Sequence, residues 1–475
     1  MVVTERGAEV GVETVTLDKT DVESFAASIR GDVIEPGDPR YDEARRVWNG
    51  MIDKHPALIA RCMGTADVVA AVQFARAHDL LVAVRGGGHN VAGNAVNDGG
   101  LVIDLSQMKG IQVDPAKRTA RAQAGVNWGD LDRETQLYGL ATPGGEVSMT
   151  GIAGYTLTGG MGLLQRKWGL ACDNLLSAEV VTADGEVLQA SVVENPDLFW
   201  ALRGGGGNFG IVTWFEFGLY PLGPEVYMAG VLYAAEDAPA LMRAWRDFTE
   251  QAPDEITSEA GFWALPPLPD LPAELHGAPV VILAGMYAGP AEEGERALEP
   301  LRRMGTPIVD MSGKATYVQA QAGFDEFFPA TQRYYWKSLY LDGLGDDVID
   351  AMVAIAATRP SPQTLIILRH LSGAISQVPD DGTAYGHRRS AYNLSLDATW
   401  DDAADDERMI GWTRQAWQDM RDRTGGGIYL NFAGLGEEND ELARAGYGSN
   451  FQRLRDVKAK YDPTNFFRGN INIAP

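Results

Sequence analysis

At 475 residues with 45% hydrophobic side chains, the chain is long enough for two to four domains, or for two large ones sharing a long interface. Its 65 acidic against 40 basic residues give a formal charge of −25, which argues against nucleic acid and anionic membrane surfaces as partners and fits a solvated or salt-adapted exterior. Two cysteines, Cys62 and Cys172, in largely apolar surroundings leave no disulfide framework and are expected as buried free thiols.

Residues 1 to about 30 are polar and acidic, lack the basic and apolar regions of a signal peptide, and are expected as a tail or short leading helix. No apolar run reaches the ~20 residues a membrane span needs, so a soluble, cytoplasmic protein is expected. Thr65-Ala66-Asp67 can cap a helix with Val68, Val72 and Ala75 on one face. A strand at Leu81 to Val84, the loop Arg85-Gly86-Gly87-Gly88-His89-Asn90 and a second strand at Leu101 to Leu105 complete a β-α-β-like unit. A hairpin follows from Ile111 to Ala124. A helix at Asp130 to Tyr138 is ended by Gly139, a second hairpin turns on Asp184-Gly185, and Phe209 to Leu219 reads as a strand.

From about Gly223 the texture changes to Pro-rich loops (Pro266-Pro267-Leu268-Pro269), long helical stretches and strands such as Ala391 to Thr399. In that strand Asn393, Ser395 and Asp397 alternate with Leu394, Leu396 and Ala398, so one face is expected to be wetter. A helix at Thr413 to Arg423 ends on Gly425-Gly426-Gly427, after which the glycine- and asparagine-punctuated style of the first half resumes. The expected organisation is an α+β protein divided at 1–30, 31–222 (two subdomains, split near 107), 223–424 and 425–475.

Glycine clusters at Gly86 to Gly88, Gly151 to Gly162 and Gly204 to Gly210 suggest a long ligand threaded through backbone amides; the plainer reading is tight turns. Gly205, Gly207 and Gly210 satisfy G-x-G-x-x-G, but Ile211 to Phe217 is strand-like, and a Rossmann turn must feed a helix. There is no Walker A sequence and no G-x-S-x-G elbow. The six histidines never fall at i,i+3 or i,i+4, and no metal is expected.

Arg85-Gly86-Gly87-Gly88-His89-Asn90 after a short strand resembles the covalent-flavin loop of berberine bridge enzyme-like oxidases, in the vanillyl-alcohol oxidase superfamily. Four further segments agree in order and spacing. They are Gly151-Ile152-Ala153-Gly154 with Gly159-Gly160-Met161-Gly162; Arg166 to Asn174; Leu198 to Gly204 continuing to Gly210-Ile211-Val212-Thr213; and Tyr461-Asp462-Pro463 to Phe467-Arg468-Gly469-Asn470-Ile471-Asn472. The resemblance spans about Gly31 to Pro475 and is strongest to bacterial members like 6-hydroxy-D-nicotine oxidase. It implies a two-subdomain FAD-binding domain and a substrate domain whose antiparallel sheet is flanked by helices. It implies FAD bound in an extended pose, joined through its 8α-methyl carbon to His89, with Arg85, Gly86, Gly87, Gly88, Asn90, Ser148, Gly151, Gly154, Gly159, Gly160, Gly162, Val212, Asn470 and Asn472 around it.

Many relatives carry a second link through a cysteine. That position is Val147 here, which implies attachment through His89 only. The implied reaction is hydride transfer from a C–H of a small amine or alcohol to the flavin, with O2 as acceptor and H2O2 as product. The alternatives are a dehydrogenase of the same fold using another acceptor and a non-catalytic ligand-binding relative; a monomer or homodimer is expected. Many relatives place a tyrosine base where Tyr429-Leu430-Asn431-Phe432 has Phe432, so Tyr155, Tyr392, Tyr429 and His387 become the candidate bases. Thr150 stands at the position that tunes oxygen access, and Trp168 is expected near the flavin or in the core.

Overall fold

The computed structural model of the protein describes residues 17–265, 272–436 and 440–475, so the Pro266 to Pro269 loop lies outside the described residues. The leading segment forms a helix at Lys19–Ser28, with Asp18 accepting the Thr20 amide at 2.7 Å as its N-cap.

The first layer is a four-stranded sheet built from β1 (Asp32–Ile34), β2 (Leu58–Arg61), β3 (Val82–Arg85) and β4 (Leu101–Asp104), in the order β1-β2-β4-β3. Strand β4 pairs in parallel with both β2 and β3. Parallel neighbours need a crossover, and the helix Thr65–Ala77 supplies it. All four residues of β4 are buried, as expected of a strand covered on both faces.

The second sheet is antiparallel. It contains β5 (Ile111–Asp114), β6 (Thr119–Gln123), β8 (Leu175–Val181), β9 (Val187–Ser191) and β10 (Ile211–Gly218), in the order β5-β6-β10-β8-β9. The short β7 (Leu140–Ala141) pairs with β11 (Tyr220–Pro221) beside it. Both hairpins fall where the sequence put them; the helix expected at Asp130 to Tyr138 runs Trp128–Gln136 and ends shortly before Gly139, which adopts φ +64°. The G-x-G-x-x-G segment runs into β10, a strand and not a helix.

The third sheet is large: β12 (Glu225–Ala234), β13 (Ile256–Ala264), β14 (Pro279–Tyr287), β15 (Pro307–Asp310), β16 (Gly313–Thr316), β17 (Arg333–Leu341), β18 (Leu365–His370) and β19 (Tyr392–Trp400). Its order is β15-β12-β14-β13-β18-β19-β17, with β16 also on β12. Helices Ala238–Thr249, Asp346–Ala356 and Asp406–Thr424 cover one face. The first of these buries Leu241, Met242, Trp245 and Thr249 along one stripe, which is why it packs rather than floats. The third ends on Gly425 in the left-handed conformation (φ +64°).

The opposite face of this sheet turns toward the first two sheets. The segment from the helix Phe451–Tyr461 onward returns to them: Lys458 Nζ, fully buried, donates to Asp462 at 2.6 Å and to the carbonyls of Asn208 and Phe467 at 2.8 Å. Among the described residues no helix is long and apolar enough to cross a membrane.

Candidate active site

A cavity of about 270 Å³ lies between the two smaller sheets and the free face of the large one. One wall is the loop Gly86 to Asn90, a second is Gly145 to Thr158, and a third is Gly206 to Val212 with Asn470 and Ile471. The far end is closed by Glu259, Trp336, Ile367, Arg369, Asp397, Tyr429 and Phe432.

The glycine loop is shaped by close backbone approach. A Cβ on Gly87 would lie 2.5 Å from the Gly151 amide nitrogen, and Gly88 takes φ +66°. The loop therefore presses on the Gly151 turn and delivers His89 into the gap. His89 is half-buried as a residue, yet its Nε2 is closed off from solvent and has no hydrogen-bond partner. Burial lowers its pKa to about 4, so the imidazole is neutral with a free lone pair. Trp48 stacks on its ring and is itself fixed by Nε1 donating to the Phe328 carbonyl at 3.0 Å.

The residues present fit a long, flat cofactor such as FAD. His89 lines the cavity with a neutral imidazole whose Nε2 has no hydrogen-bond partner, and a Cβ on Gly154 in its wall would meet no protein atom within 4 Å. Gly86, Gly87, Gly88, Asn90, Gly151, Gly154, Val212 and Asn470 all line the space, as do Val147 and Thr150.

Other residues singled out in the sequence do not line it. Arg85 turns away, its Nη2 donating to Asp104 at 2.6 Å and its Nη1 to the carbonyls of Ala44 and Arg46, so it ties the first sheet to the preceding loop. Ser148 bonds Asp325 through both its amide and its hydroxyl. Gly159, Gly160 and Gly162 make room for protein: their missing Cβ atoms would strike Tyr385, Tyr155 and the Gly144 carbonyl. Asn472 also lies off the cavity, with a buried Oδ1 that has no partner. Trp168 stacks on Tyr220 at 4.6 Å, in the packing between sheets.

The candidate bases separate in the same way. The Tyr392 hydroxyl bonds Thr249 at 2.6 Å on the helix-covered face, far from the cavity lining. His387 also lies off the cavity: it stacks on Tyr340 and bonds the Ala445 carbonyl at 2.9 Å, while neighbouring Arg388 is buried against both oxygens of Asp173 at 2.7 Å. Tyr155 and Tyr429 do line the cavity. The Tyr155 hydroxyl donates to the Met161 carbonyl. Tyr429 Oη accepts from Asn431 Nδ2 at 2.7 Å and from the Gly160 and Met161 amides at 3.1 and 3.4 Å. Those donors favour a phenolate, but burial outweighs them and pushes the Tyr429 pKa up to about 12; burial drives Tyr155 up as well.

Sequence reading missed the charged residues at the far end. Strand alternation puts Glu259, Arg369 and Asp397 on one face of the large sheet, with Glu259 opposite Arg369 in register. Arg369 Nη1 donates to Ser395 Oγ at 2.9 Å, and Ser395 Oγ to Asp397 Oδ2 at 3.1 Å. The face of β19 expected to be wet is thus buried: Asn393, Ser395 and Asp397 have at most 1% of their surface exposed. The polar alternation was the available signal, and it marked a lined cavity rather than solvent.

The chain matches the family model described as an FAD binding domain over residues 56–191 and that described as berberine and berberine like over 428–474. It is 32% identical to an FAD-linked oxidoreductase of Dictyostelium discoideum, over 96% of this chain and 97% of that protein. It is also 32% identical to (R)-6-hydroxynicotine oxidase of Paenarthrobacter nicotinovorans, over 94% of this chain and 97% of that protein. The crystal structure of 6-hydroxy-D-nicotine oxidase from Arthrobacter nicotinovorans superposes with a TM-score of 0.84 at 31% identity, covering 94% of this chain and 98% of that one. The fold and cavity define an FAD-dependent oxidoreductase. The chain belongs to the berberine bridge enzyme-like family of FAD-linked oxidoreductases.

Proposed function

We propose that the protein is a covalent flavoprotein oxidase, with FAD attached through His89 alone, that removes a hydride from a C–H of a small amine or alcohol and passes the electrons to O2. The observation that carries this reading is His89: it lines the cavity with a neutral imidazole whose Nε2 is shut away from water and has no partner. Leaving a buried polar atom unsatisfied costs about 1–3 kcal/mol, so such an atom marks a position reserved for a bond. Val147, where relatives carry a cysteine, has no nucleophile to add a second link.

When bound, FAD supplies the two-electron oxidation. The residues of this chain supply the rest. Gly86 to Gly88 and Gly151 to Gly154 give a backbone wall without side chains, and Asn90, Asn208 and Asn470 add polar groups along it. Val147, Phe328, Trp336, Ile367 and Phe432 set an apolar surface beside the charged groups of the far end, which suits a compact cyclic or aromatic substrate with one polar group. The name of the (R)-6-hydroxynicotine oxidase relative supports an amine, and Phe432 in place of a tyrosine removes the usual base for an alcohol.

The test is acid precipitation of the purified protein beside His89→Ala. Yellow colour that stays in the wild-type pellet and leaves the variant establishes the single link; colour released from both overturns it. Oxygen uptake and peroxide release with benzylamine and benzyl alcohol as probe donors then separate an oxidase from a dehydrogenase, which would reduce its flavin with either donor yet consume no oxygen.

A further inference from the structure

The far end of the cavity holds three carboxyl groups and one guanidinium. Glu146, Glu259 and Asp397 face Arg369 and line the same space; Glu259, Asp397 and Arg369 are buried, and Glu146 is half-buried with its Oε1 closed off from solvent. Full ionisation would leave an excess of two negative charges in a site closed by Trp336, Ile367 and Phe432. Burying such charges uncompensated costs several kcal/mol each.

The hydrogen bonds show where the imbalance sits. Arg369 is committed to Glu259, with Nε 3.2 Å from Oε1, and to Ser395, through which it reaches Asp397. Glu146 comes from a different segment, the turn before Val147, and meets Glu259 carboxyl to carboxyl. Glu146 Oε1 is buried with no hydrogen-bond donor in the protein, and Glu259 Oε1 has only the ion-pair contact from Arg369 Nε. Two carboxylates cannot satisfy each other, because neither carries a hydrogen. A single proton between them supplies the missing donor and removes one of the two excess charges.

We propose that Glu146 and Glu259 share one proton and form the acid–base centre of the cavity, in the role that Phe432 cannot fill. The inference rests on the oxidase reading for its chemistry. In the oxidation, the substrate C–H bond breaks with its electron pair leaving to the flavin. The adjacent N–H or O–H bond breaks with its pair staying to form C=N or C=O. The released proton goes to the ionised half of the pair, which then holds two protons and is neutral. Arg369 and Asp397 face the pair from the neighbouring strands, and Tyr155 and Tyr429 close the group from the other side. Both tyrosines stay protonated at neutral pH, so neither competes for the proton. Burial raises both glutamates above the ordinary carboxylate range, and the charge of Glu259 raises Glu146 further, which brings the pair toward working pH.

The experiment is infrared difference spectroscopy of the carboxylic C=O stretch, on the flavin-loaded protein, between mildly acidic and mildly alkaline pH. It is run on the double variant Asp132→Asn with Asp397→Asn, so that neither buried aspartate contributes a band, and on the same background with Glu146→Gln. A glutamine amide donates an N–H to Glu259 where the shared proton stood, so the fold is retained; flavin colour and thermal melting check this. The expected result is a protonated-carboxyl band in the double variant that fades as pH rises, shifts in D2O, and is lost with Glu146→Gln. No such band, or one unchanged by Glu146→Gln, overturns the proposal. The band is read without any substrate. If it is present in a protein whose flavin no donor reduces, the oxidase reading fails while the shared proton stands. A protein whose flavin is reduced but which lacks the band overturns the shared proton alone.

Discussion

The indole of Trp48 lies stacked on the imidazole of His89, with ring centroids 4.1 Å apart and planes 18° from parallel. On its other side Trp48 stacks against Tyr334 at 3.8 Å, so the histidine ring is held in place through an aromatic column rooted in the large sheet. Trp48→Phe keeps the stack and loses only the Nε1 bond to the Phe328 carbonyl; it is expected to retain acid-stable flavin. Trp48→Ala removes the column and frees the ring, and the yield of acid-stable flavin should fall several-fold, with stability lower by about 3–5 kcal/mol. Pellet absorbance and urea melts check both.

Val147 lines the cavity without a nucleophile. In a His89→Ala background, Val147→Cys should restore colour to the acid-precipitated pellet if the thiol reaches the flavin ring. A colourless pellet from the double variant would place that ring elsewhere.

Gly87→Ala should force apart two loops of the cavity wall. Its Cβ would stand 2.5 Å from the Gly151 nitrogen and 2.6 Å from the Gly151 Cα, backbone atoms that a rotamer change cannot move. The two loops must part, at a cost of about 1–3 kcal/mol, and flavin incorporation should drop in parallel. Flavin-to-protein absorbance ratios measure the loss. Gly139→Ala tests a different glycine: open space surrounds it, but φ +64° penalises any side chain, so stability falls by about 1 kcal/mol with flavin content unchanged.

Asp132 is buried in the helix Trp128–Gln136, with Oδ2 accepting from Gln321 at 3.3 Å and Oδ1 without a partner. Burial raises its pKa to about 7. The folded protein therefore holds a proton there that the unfolded chain releases near the ordinary value of 3.8, and stability from this group is lost as pH rises from about 4 through about 7. Asp132→Asn keeps the Gln321 contact and cannot ionise. Its urea midpoint should decline less than that of the wild type between about pH 5 and about pH 8, by a difference on the order of 3 kcal/mol.

Arg388 and Asp173 form a buried bidentate pair, both contacts at 2.7 Å, with Arg388 also donating to Thr383. Arg388→Met strands the Asp173 carboxylate and should cost about 3–5 kcal/mol. The double change Arg388→Met with Asp173→Leu should recover much of that loss, as a thermal-melt double-mutant cycle would show.

The sequence carried the local architecture well where short-range physics decides it. The crossover helix at Thr65, both hairpins and the Gly139 and Gly425 stops follow from periodicity and turn chemistry. The Gly86 to Asn90 loop, which the glycine clusters marked as either a ligand cradle or a tight turn, does line the cavity, while the role of His89 came from the resemblance to a covalent-flavin loop. Arg85, Ser148 and Gly159 to Gly162 were placed by their neighbours in sequence, and each proved to serve a partner distant in the chain: Asp104, Asp325, Tyr385. Glu146, Glu259, Arg369 and Asp397 were missed for the same reason. No motif joins them, since they come from one turn and three strands that meet only when the large sheet closes over the cavity. Periodicity did expose the polar face of β19, but a polar stripe reads alike whether it faces water or a lined hollow.

Lys458 reaches back to the Asn208 carbonyl across 250 residues of chain, and Asn470 and Ile471 beside it complete the cavity wall. A ribosome that has finished the glycine loops and His89 has therefore not yet made the wall that encloses them. Between the two it must make the whole eight-stranded sheet. The pocket acquires its last side only after every other residue that lines it has emerged.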